Sequence, residues 1–171
     1  MVMTRATLVC VMGVSAVGKT TVGTALASAL AVPFVDADDL HPAANRAKMT
    51  AGIPLDDADR RPWLDTVGAR LRAAERTGLV IACSALRRVY RDRIRAVEPG
   101  VRFVHLSGSP VLLAERARER TGHFMPPALL QSQLATLEPL GDDEVGVVVD
   151  VAMPVEELVA QVAERLGQPL R

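Results

Sequence analysis

Short apolar runs alternate with longer stretches of helical periodicity along this chain. Thr7–Met12 is apolar and stops at a glycine-rich turn, and a helical pattern then runs from Gly18 to Leu30. Pro33–Asp36 reads as a second strand and residues 41–50 as a helix. Across Asp57–Thr77 the positions Leu64, Val67, Leu71 and Ala74 fall on one helical face. Leu79–Cys83 is a third strand, and a basic helix follows over Leu86–Val97. Arg102–Leu106 and Val145–Asp150 supply the fourth and fifth strands. The last helix carries Val155, Leu158, Val159, Val162 and Leu166 at helical spacing, with Pro154 at its start and Gly167 at its end. Continuous apolar strands separated by helices predict an α/β fold, a parallel sheet covered on both faces. Such sheets bind ligands at the carboxyl ends of their strands, so the residues that follow each strand are the ones to weigh.

Composition narrows the picture. A chain of 171 residues, 49% hydrophobic and 23% charged, is expected to form one globular domain spanning residues 1–171. Twenty basic and twenty acidic residues cancel, so no charge excess points to nucleic acid or to an anionic membrane. The apolar runs fall short of the ~20 residues that a membrane span requires. Cys10 and Cys83 each lie inside an apolar run, which suits buried thiols in a reducing compartment and makes the cytoplasm the expected location.

The strongest chemical signal is Gly13-Val14-Ser15-Ala16-Val17-Gly18-Lys19-Thr20, followed by Thr21. It matches G-x-x-x-x-G-K-[ST], with an apolar strand before it and a helix after it. Glycines let the backbone N–H groups of such a loop curl around phosphates, and the helix N-terminus adds the positive end of its dipole. Lys19 is placed to reach the β- and γ-phosphates, and the Thr20 hydroxyl to ligate Mg²⁺. ATP and Mg²⁺ are therefore the expected cofactors.

Acids come next. The second strand runs into Asp36-Ala37-Asp38-Asp39, and alternation along an extended segment puts Asp36 and Asp38 on one side. Asp36 is expected to act through the waters of Mg²⁺, and Asp38 to hold and deprotonate a substrate hydroxyl. The plainer alternative is a strand-end turn in which Asp39 caps a helix. Asn45 is the only asparagine, and Arg46-Ala47-Lys48 after it does not make the N-K-x-D signature of a guanine-specific GTPase.

Arginines cluster twice. Arg87, Arg88, Arg91, Arg93 and Arg95 follow the third strand. Arg116, Arg118 and Arg120 precede Thr121-Gly122-His123, and Arg116 and Arg120 share a helical face. Cations aimed at a transferring phosphoryl group accelerate its transfer, and a helix leading into a glycine-containing loop has the form of a closing lid, here over residues 116–138. The alternative is a solvated face on which Glu115 and Glu119 pair with arginines; it is preferred for Arg118. His105 lies within a strand and reads as structural. Asp59-Arg60-Arg61-Pro62-Trp63 groups polar residues around a helix start, as a pocket does.

With these stretches in view the chain resembles the gluconokinase family, small phosphate-loop kinases related to shikimate kinase and adenylate kinase. The likeness runs from Val9 to Leu166. It rests on Met12–Thr20, on Asp36-Ala-Asp38-Asp-Leu-His41-Pro42, on Asn45 through Met49, and on Gly52 through Leu64 with its Asp59-Arg60-Arg-Pro62-Trp63-Leu64. It continues through Cys83–Arg87, Tyr90–Asp92, Gly122–Met125, Ser132-Gln133 and Leu137-Glu138. The phosphate loop is common to many families, whereas the Leu-His-Pro and Asp-Arg-x-Pro-Trp-Leu pieces are far more specific. Three positions depart from the usual pattern: Ala16 and Ala37 where Gly is frequent, and Arg87 where Lys is common.

The resemblance implies a three-layer α/β/α phosphate-loop kinase fold with a parallel five-stranded sheet and a helical lid. It implies transfer of the ATP γ-phosphate to the 6-hydroxyl of D-gluconate, often by a homodimer. On the matching positions, Lys19 and the loop from Gly13 to Thr21 hold the nucleotide, Thr20 and Asp36 hold the metal, and Asp38 orients the acceptor hydroxyl. Arg116 and Arg120 serve the transferring phosphoryl group. Arg60, Arg87 and Lys48 hold the gluconate carboxylate and hydroxyls, with further contacts from His41, Ser84, His123 and Gln133. The rival readings are a kinase for another small acceptor, shikimate-like or a nucleotide, and a nucleotide-binding regulator.

Overall fold

The computed structural model describes residues 6–120 and 126–167. Five strands, β1 (Leu8–Met12), β2 (Phe34–Asp36), β3 (Leu79–Ala82), β4 (Arg102–Ser107) and β5 (Gly146–Asp150), form one sheet in the order β2-β3-β1-β4-β5. Every pairing is parallel. The helices are α1 (Lys19–Leu30), α2 (Ala43–Thr50), α3 (Asp57–Ala73), α4 (Arg88–Val97), α5 (Pro110–Glu119), α6 (Pro127–Thr136) and α7 (Val155–Arg165). A 3₁₀ turn, Ala37–Leu40, follows β2.

The alternation of β1 explains the two cores. Val9 and Val11 face a core that includes Leu26 of α1, Leu113 of α5, Leu130 of α6 and Val162 of α7. Leu8, Cys10 and Met12 face a second core with Leu64, Val67 and Leu71 of α3 and Ile94 of α4. The sheet is thus the middle of three layers, as the resemblance implies, with α1 packed on α7 and α3 on α4.

Several boundaries differ from the sequence reading, each for a local reason. Helix α3 stops at Ala73, because the chain then tightens into turns: Thr77 N–H and Gly78 N–H both donate to Ala74 O. Ala74 therefore caps the helix, while its side chain still packs against the second core, as its spacing predicts. The basic helix begins at Arg88, since Ala85 sits at φ +45° and Arg87 is extended. The 116–138 stretch contains a separate helix, α6, that periodicity does not reveal. Strand β5 is not buried on both faces: Val147 and Val149 are covered, while Gly146, Val148 and Asp150 are exposed. It is the last strand of the sheet, and Arg165 of α7 reaches its outer edge to donate to Val148 O at 2.8 Å.

Candidate functional site

The parallel sheet delivers β1, β2 and β3 to one end, and the phosphate loop forms there. Gly13 has φ +145°, and a Cβ at that position would lie 2.9 Å from Leu106 O, so the loop sits close against β4 because this residue is glycine. Gly13 N–H also donates to Ser84 O, at 3.2 Å. Gly18, at φ +99°, is the N-cap of α1 and offers no side chain to it. The first-turn amides of Lys19, Thr20 and Thr21 therefore face the cleft without intrahelical acceptors, as an anion site needs. Ala16 holds φ +66°, a left-handed conformation that costs a residue bearing a Cβ roughly 1 kcal/mol. The glycine usual at this position is explained by that angle.

Lys19 Nζ donates to the carbonyls of Gly13 and Val14, both at 3.0 Å. Burial lowers its pKa, and Asp38 and Asp36 oppose that effect. The ammonium is thus held over its own loop, with both carboxylates close enough to act on it.

The two acids are arranged differently from the sequence expectation. Asp38 is not on an extended segment; it lies in the 3₁₀ turn, and its N–H donates to Asp36 Oδ1 at 3.0 Å. Asp36, not Asp39, is the capping residue. Both carboxylates still line one cleft of about 350 Å³ with Ser15, Ala16, Gly18, Lys19, Thr20, Thr21, Ser84, Arg116 and Arg120. Asp38 is exposed to that cleft, yet the protein around it and then the Asp36 carboxylate raise its pKa, while His41 and Lys19 pull the other way. A raised carboxyl beside a lysine suits a group that takes a proton.

The start of α3 meets the segment after β3 through Asp57, Arg87 and Tyr90. Asp56 and Asp59 close a capping box on α3. Asp59 also receives Lys48 Nζ on both oxygens, at 2.9 and 2.8 Å, so the Lys48 charge is matched within the protein. Asp57 accepts from Tyr90 Oη at 2.7 Å and from Arg87 at 2.8 Å. Arg60 and Arg87 each bring a guanidinium carbon to 5.6 Å from the centre of the Tyr90 ring. The acids beside Arg60 in sequence are thereby occupied, and among the described residues none forms an ion pair with it. The surface ion pair that the neighbouring acids suggest for Arg60 does not form there; Arg60 instead donates to Tyr90 Oη at 3.4 Å and lies near enough to Asp57 to lower its pKa.

His41 is buried, stacked on Trp63 with ring centres 4.2 Å apart, and its Nδ1 lies 3.2 Å from Asn45 Nδ2. Trp63 Nε1 donates to Ala37 O at 2.7 Å, tying α3 to the turn that carries Asp38. A larger hollow of about 630 Å³ between α3 and α4 shares Asp57, Arg87 and Tyr90 with this region. It contains no part of the phosphate loop, so the smaller cleft is the chemical site.

Segment 84–91 and the chain after α6 are joined by Arg91. It donates to both carboxylate oxygens of Glu144, at 2.7 and 3.0 Å, and to the carbonyls of Ala85, Leu86 and Pro139. Glu138 N–H donates to Leu86 O, and Arg88 N–H donates to Glu138 Oε2. Neither Arg91 nor Glu144 stands out in the sequence, where Arg91 is one of five clustered arginines and Glu144 has no distinguishing spacing.

On the lid side, Arg116 and Arg120 line the cleft and Arg118 does not, as the spacing of the three predicts. Arg120 lies just past the end of α5, as its C-cap, and Arg116 donates to Val151 O at 2.6 Å. Gln133 of α6 is bonded to the phosphate loop: Ser15 N–H donates to Gln133 Oε1 at 2.6 Å, and Gln133 Nε2 donates to Ser15 Oγ at 2.9 Å. His123 lies outside the described residues. His105 is buried in β4, neither ring nitrogen is bonded to any of the described residues, and burial, then Arg91, lowers its pKa. Contact with Cys83, then burial, raises the Cys10 thiol; both cysteines are buried and free.

Mg²⁺ fits this donor set. Thr20 and Asp36 line one cleft, and magnesium at phosphates takes one or two protein oxygens, with phosphate and water completing its shell.

A shikimate kinase family model matches residues 15–166. The chain is 52% identical over 136 residues to the gluconokinase of Gluconobacter oxydans (strain 621H), covering 78% of this chain and 76% of that protein. The chain belongs to the gluconokinase family. Within that family it is 42% identical to the thermoresistant gluconokinase of Escherichia coli (strain K12), over 90% of this chain and 89% of the relative. The crystal structure of a gluconokinase from Sinorhizobium meliloti 1021 superposes with a TM-score of 0.85 at 50% identity, covering 94% of this chain and 91% of the other. A shikimate kinase from Aquifex aeolicus, 16% identical with a TM-score of 0.58, shares the fold.

Proposed function

We infer that this gluconokinase-family protein is an enzyme that transfers the γ-phosphoryl group of ATP to the 6-hydroxyl of D-gluconate, giving 6-phosphogluconate and ADP. Gluconate as acceptor follows from relatives that bear the gluconokinase name at 42–52% identity. The observation that carries the reading within the site is that Lys19 and Asp38, a cation for the phosphates and a carboxylate for the acceptor, line one cleft.

The chemistry is direct and in line. The loop amides and Lys19 cradle the phosphates, so Lys19 must exchange its two carbonyl acceptors for phosphate oxygens. Thr20 and Asp36 are the residues that would hold Mg²⁺, which neutralises phosphate charge when bound. The acceptor hydroxyl oxygen attacks phosphorus, its proton passes to Asp38, and the bond to the ADP oxygen breaks. Arg120 and Arg116 supply positive charge to the transferring group. Arg60 and Arg87 hold the gluconate carboxylate end, a role that their two guanidinium groups beside the Tyr90 ring support.

An acceptor screen tests this. Purified protein with ATP and Mg²⁺ is expected to release ADP when D-gluconate is added. Turnover of shikimate or a nucleoside monophosphate with no response to gluconate would overturn the acceptor, and acceptor-independent slow hydrolysis alone would support a regulator. The buried free thiols support a reducing, cytoplasmic setting, and family resemblance supports a homodimer, for which light scattering is the check.

A further inference from the structure

Asn45 enters the sequence analysis through a missing guanine signature and as the start of a family-like stretch, and in the structure its side chain joins His41 to Asp59. Asn45 Nδ2 donates to Asp59 O at 2.9 Å and lies 3.2 Å from His41 Nδ1. A main-chain carbonyl only accepts, so the atom facing Asp59 O must be the amide nitrogen and not the amide oxygen. Its second hydrogen then points at His41 Nδ1, which must present a lone pair. The neutral imidazole carries its proton on the other nitrogen, Nε2.

Nε2 forms no hydrogen bond with the described residues. Stacking fixes the plane of the ring. Trp63 lies against one face with an interplanar angle of 15°, and Trp63 is itself held by Ala37 O. The His41 peptide N–H donates to Asp38 O at 3.4 Å, which keeps the ring next to the acid. Burial and the neighbouring Arg46 and Arg60 favour the uncharged ring, against the pull of Asp38.

We infer that Asn45 is a positioning residue that locks His41 as the Nε2–H tautomer, so that His41 offers a neutral hydrogen-bond donor to a hydroxyl oxygen of the acceptor beside Asp38. The pair is complementary: an ionised Asp38 only accepts, and His41 Nε2 only donates. A hydroxyl group, which both donates and accepts, satisfies both and is thereby oriented. The other tautomer would present a lone pair there and compete with Asp38 for the hydroxyl hydrogen. The inference rests on the gluconate reading for the identity of the acceptor, and selects a polyhydroxylated acid over an acceptor that offers only charge.

The test has two arms. Long-range ¹H–¹⁵N spectra of the full chain without acceptor, with His41 assigned among the three histidines through His41→Asn, are expected to show a protonated Nε2 and an unprotonated Nδ1. Asn45→Ala removes the donor and is expected to give a tautomer mixture. Asn45→Asp, where it folds, moves the proton to Nδ1. Steady-state kinetics should then show a gluconate KM raised about three- to tenfold in Asn45→Ala, the scale of one neutral hydrogen bond, with the KM for ATP unmoved. His41→Gln, whose amide nitrogen falls near Nε2, should raise the gluconate KM less than His41→Asn, whose nitrogen falls near Nδ1. A wild-type ring protonated on Nδ1 overturns the inference, as does a shifted tautomer with an unchanged gluconate KM. The spectroscopic arm needs no acceptor, so a protein that ignored gluconate would sink the functional reading and leave the tautomer assignment standing.

Discussion

Arg91 and Glu144, 53 residues apart in sequence, meet in a two-point ion pair with neither side chain accessible to solvent. Burial pushes the Glu144 carboxyl up, but the Arg91 guanidinium and Gly141 N–H more than offset this and hold it below its ordinary value. Removing one partner strands the other charge, so Glu144→Ala and Arg91→Met should each cost about 3–5 kcal/mol in urea unfolding. The double replacement should cost less than the sum, because it strands neither charge. A depressed carboxyl contributes stability that is present above its unfolded pKa and lost as pH falls through the folded one. Acid unfolding curves of the wild type should therefore show this contribution being lost as pH falls below the ordinary glutamate range, and Glu144→Ala should show no such loss.

Lys19→Ala should nearly abolish turnover while circular dichroism and the thermal midpoint change little. The ammonium bonds to two carbonyls of the phosphate loop, so its loss takes a cation from the phosphates and leaves the packing of the two cores in place. Wild-type rates in a folded mutant would remove the lysine from the phosphate site.

Asp38→Asn should lower kcat by roughly 10²–10⁴-fold, the usual worth of a positioned base, and change ATP binding much less. A loss of only a few-fold would reduce Asp38 to orienting the hydroxyl. Since the carboxyl is raised, kcat/KM should fall with acid at a higher pH than an ordinary aspartate would give. The stability sign is opposite. A raised carboxyl stabilises the fold below its unfolded pKa and loses that contribution as pH rises, so the neutral amide should unfold at a slightly higher temperature at pH 7.

Arg60→Ala should raise the gluconate KM about tenfold or more, as expected when a charged hydrogen bond is lost, and leave the ATP KM nearly unchanged. A surface ion pair would instead cost at most ~1 kcal/mol of stability and no activity. An unmoved gluconate KM would remove Arg60 from the acceptor site.

The phosphate loop, the parallel sheet and the cleft-lining pair Arg116 and Arg120 are legible in the sequence because each is written locally, as a motif, a period or a four-residue spacing. Asp36 and Asp38 are legible as a pair but not in their geometry, since an acid that caps a turn two residues on looks like an alternating strand in sequence. The occupation of Lys48 by Asp59 and of Gln133 by Ser15 is not legible, because each depends on where two separate elements meet. The same holds for Tyr90, which stands between Arg60 and Arg87 through the packing of α3 on α4.

Strand β5 leaves the main-chain groups of Val148 on the open side of the sheet, and Arg165 covers its carbonyl. An uncovered row of donors and acceptors beside an exposed valine is a template on which a strand from another molecule can add. One arginine from the last helix interrupts that template with a charge. Crowded or overproduced protein should therefore stay dispersed as long as α7 remains docked, and fraying of this last helix would expose a growth point for aggregates.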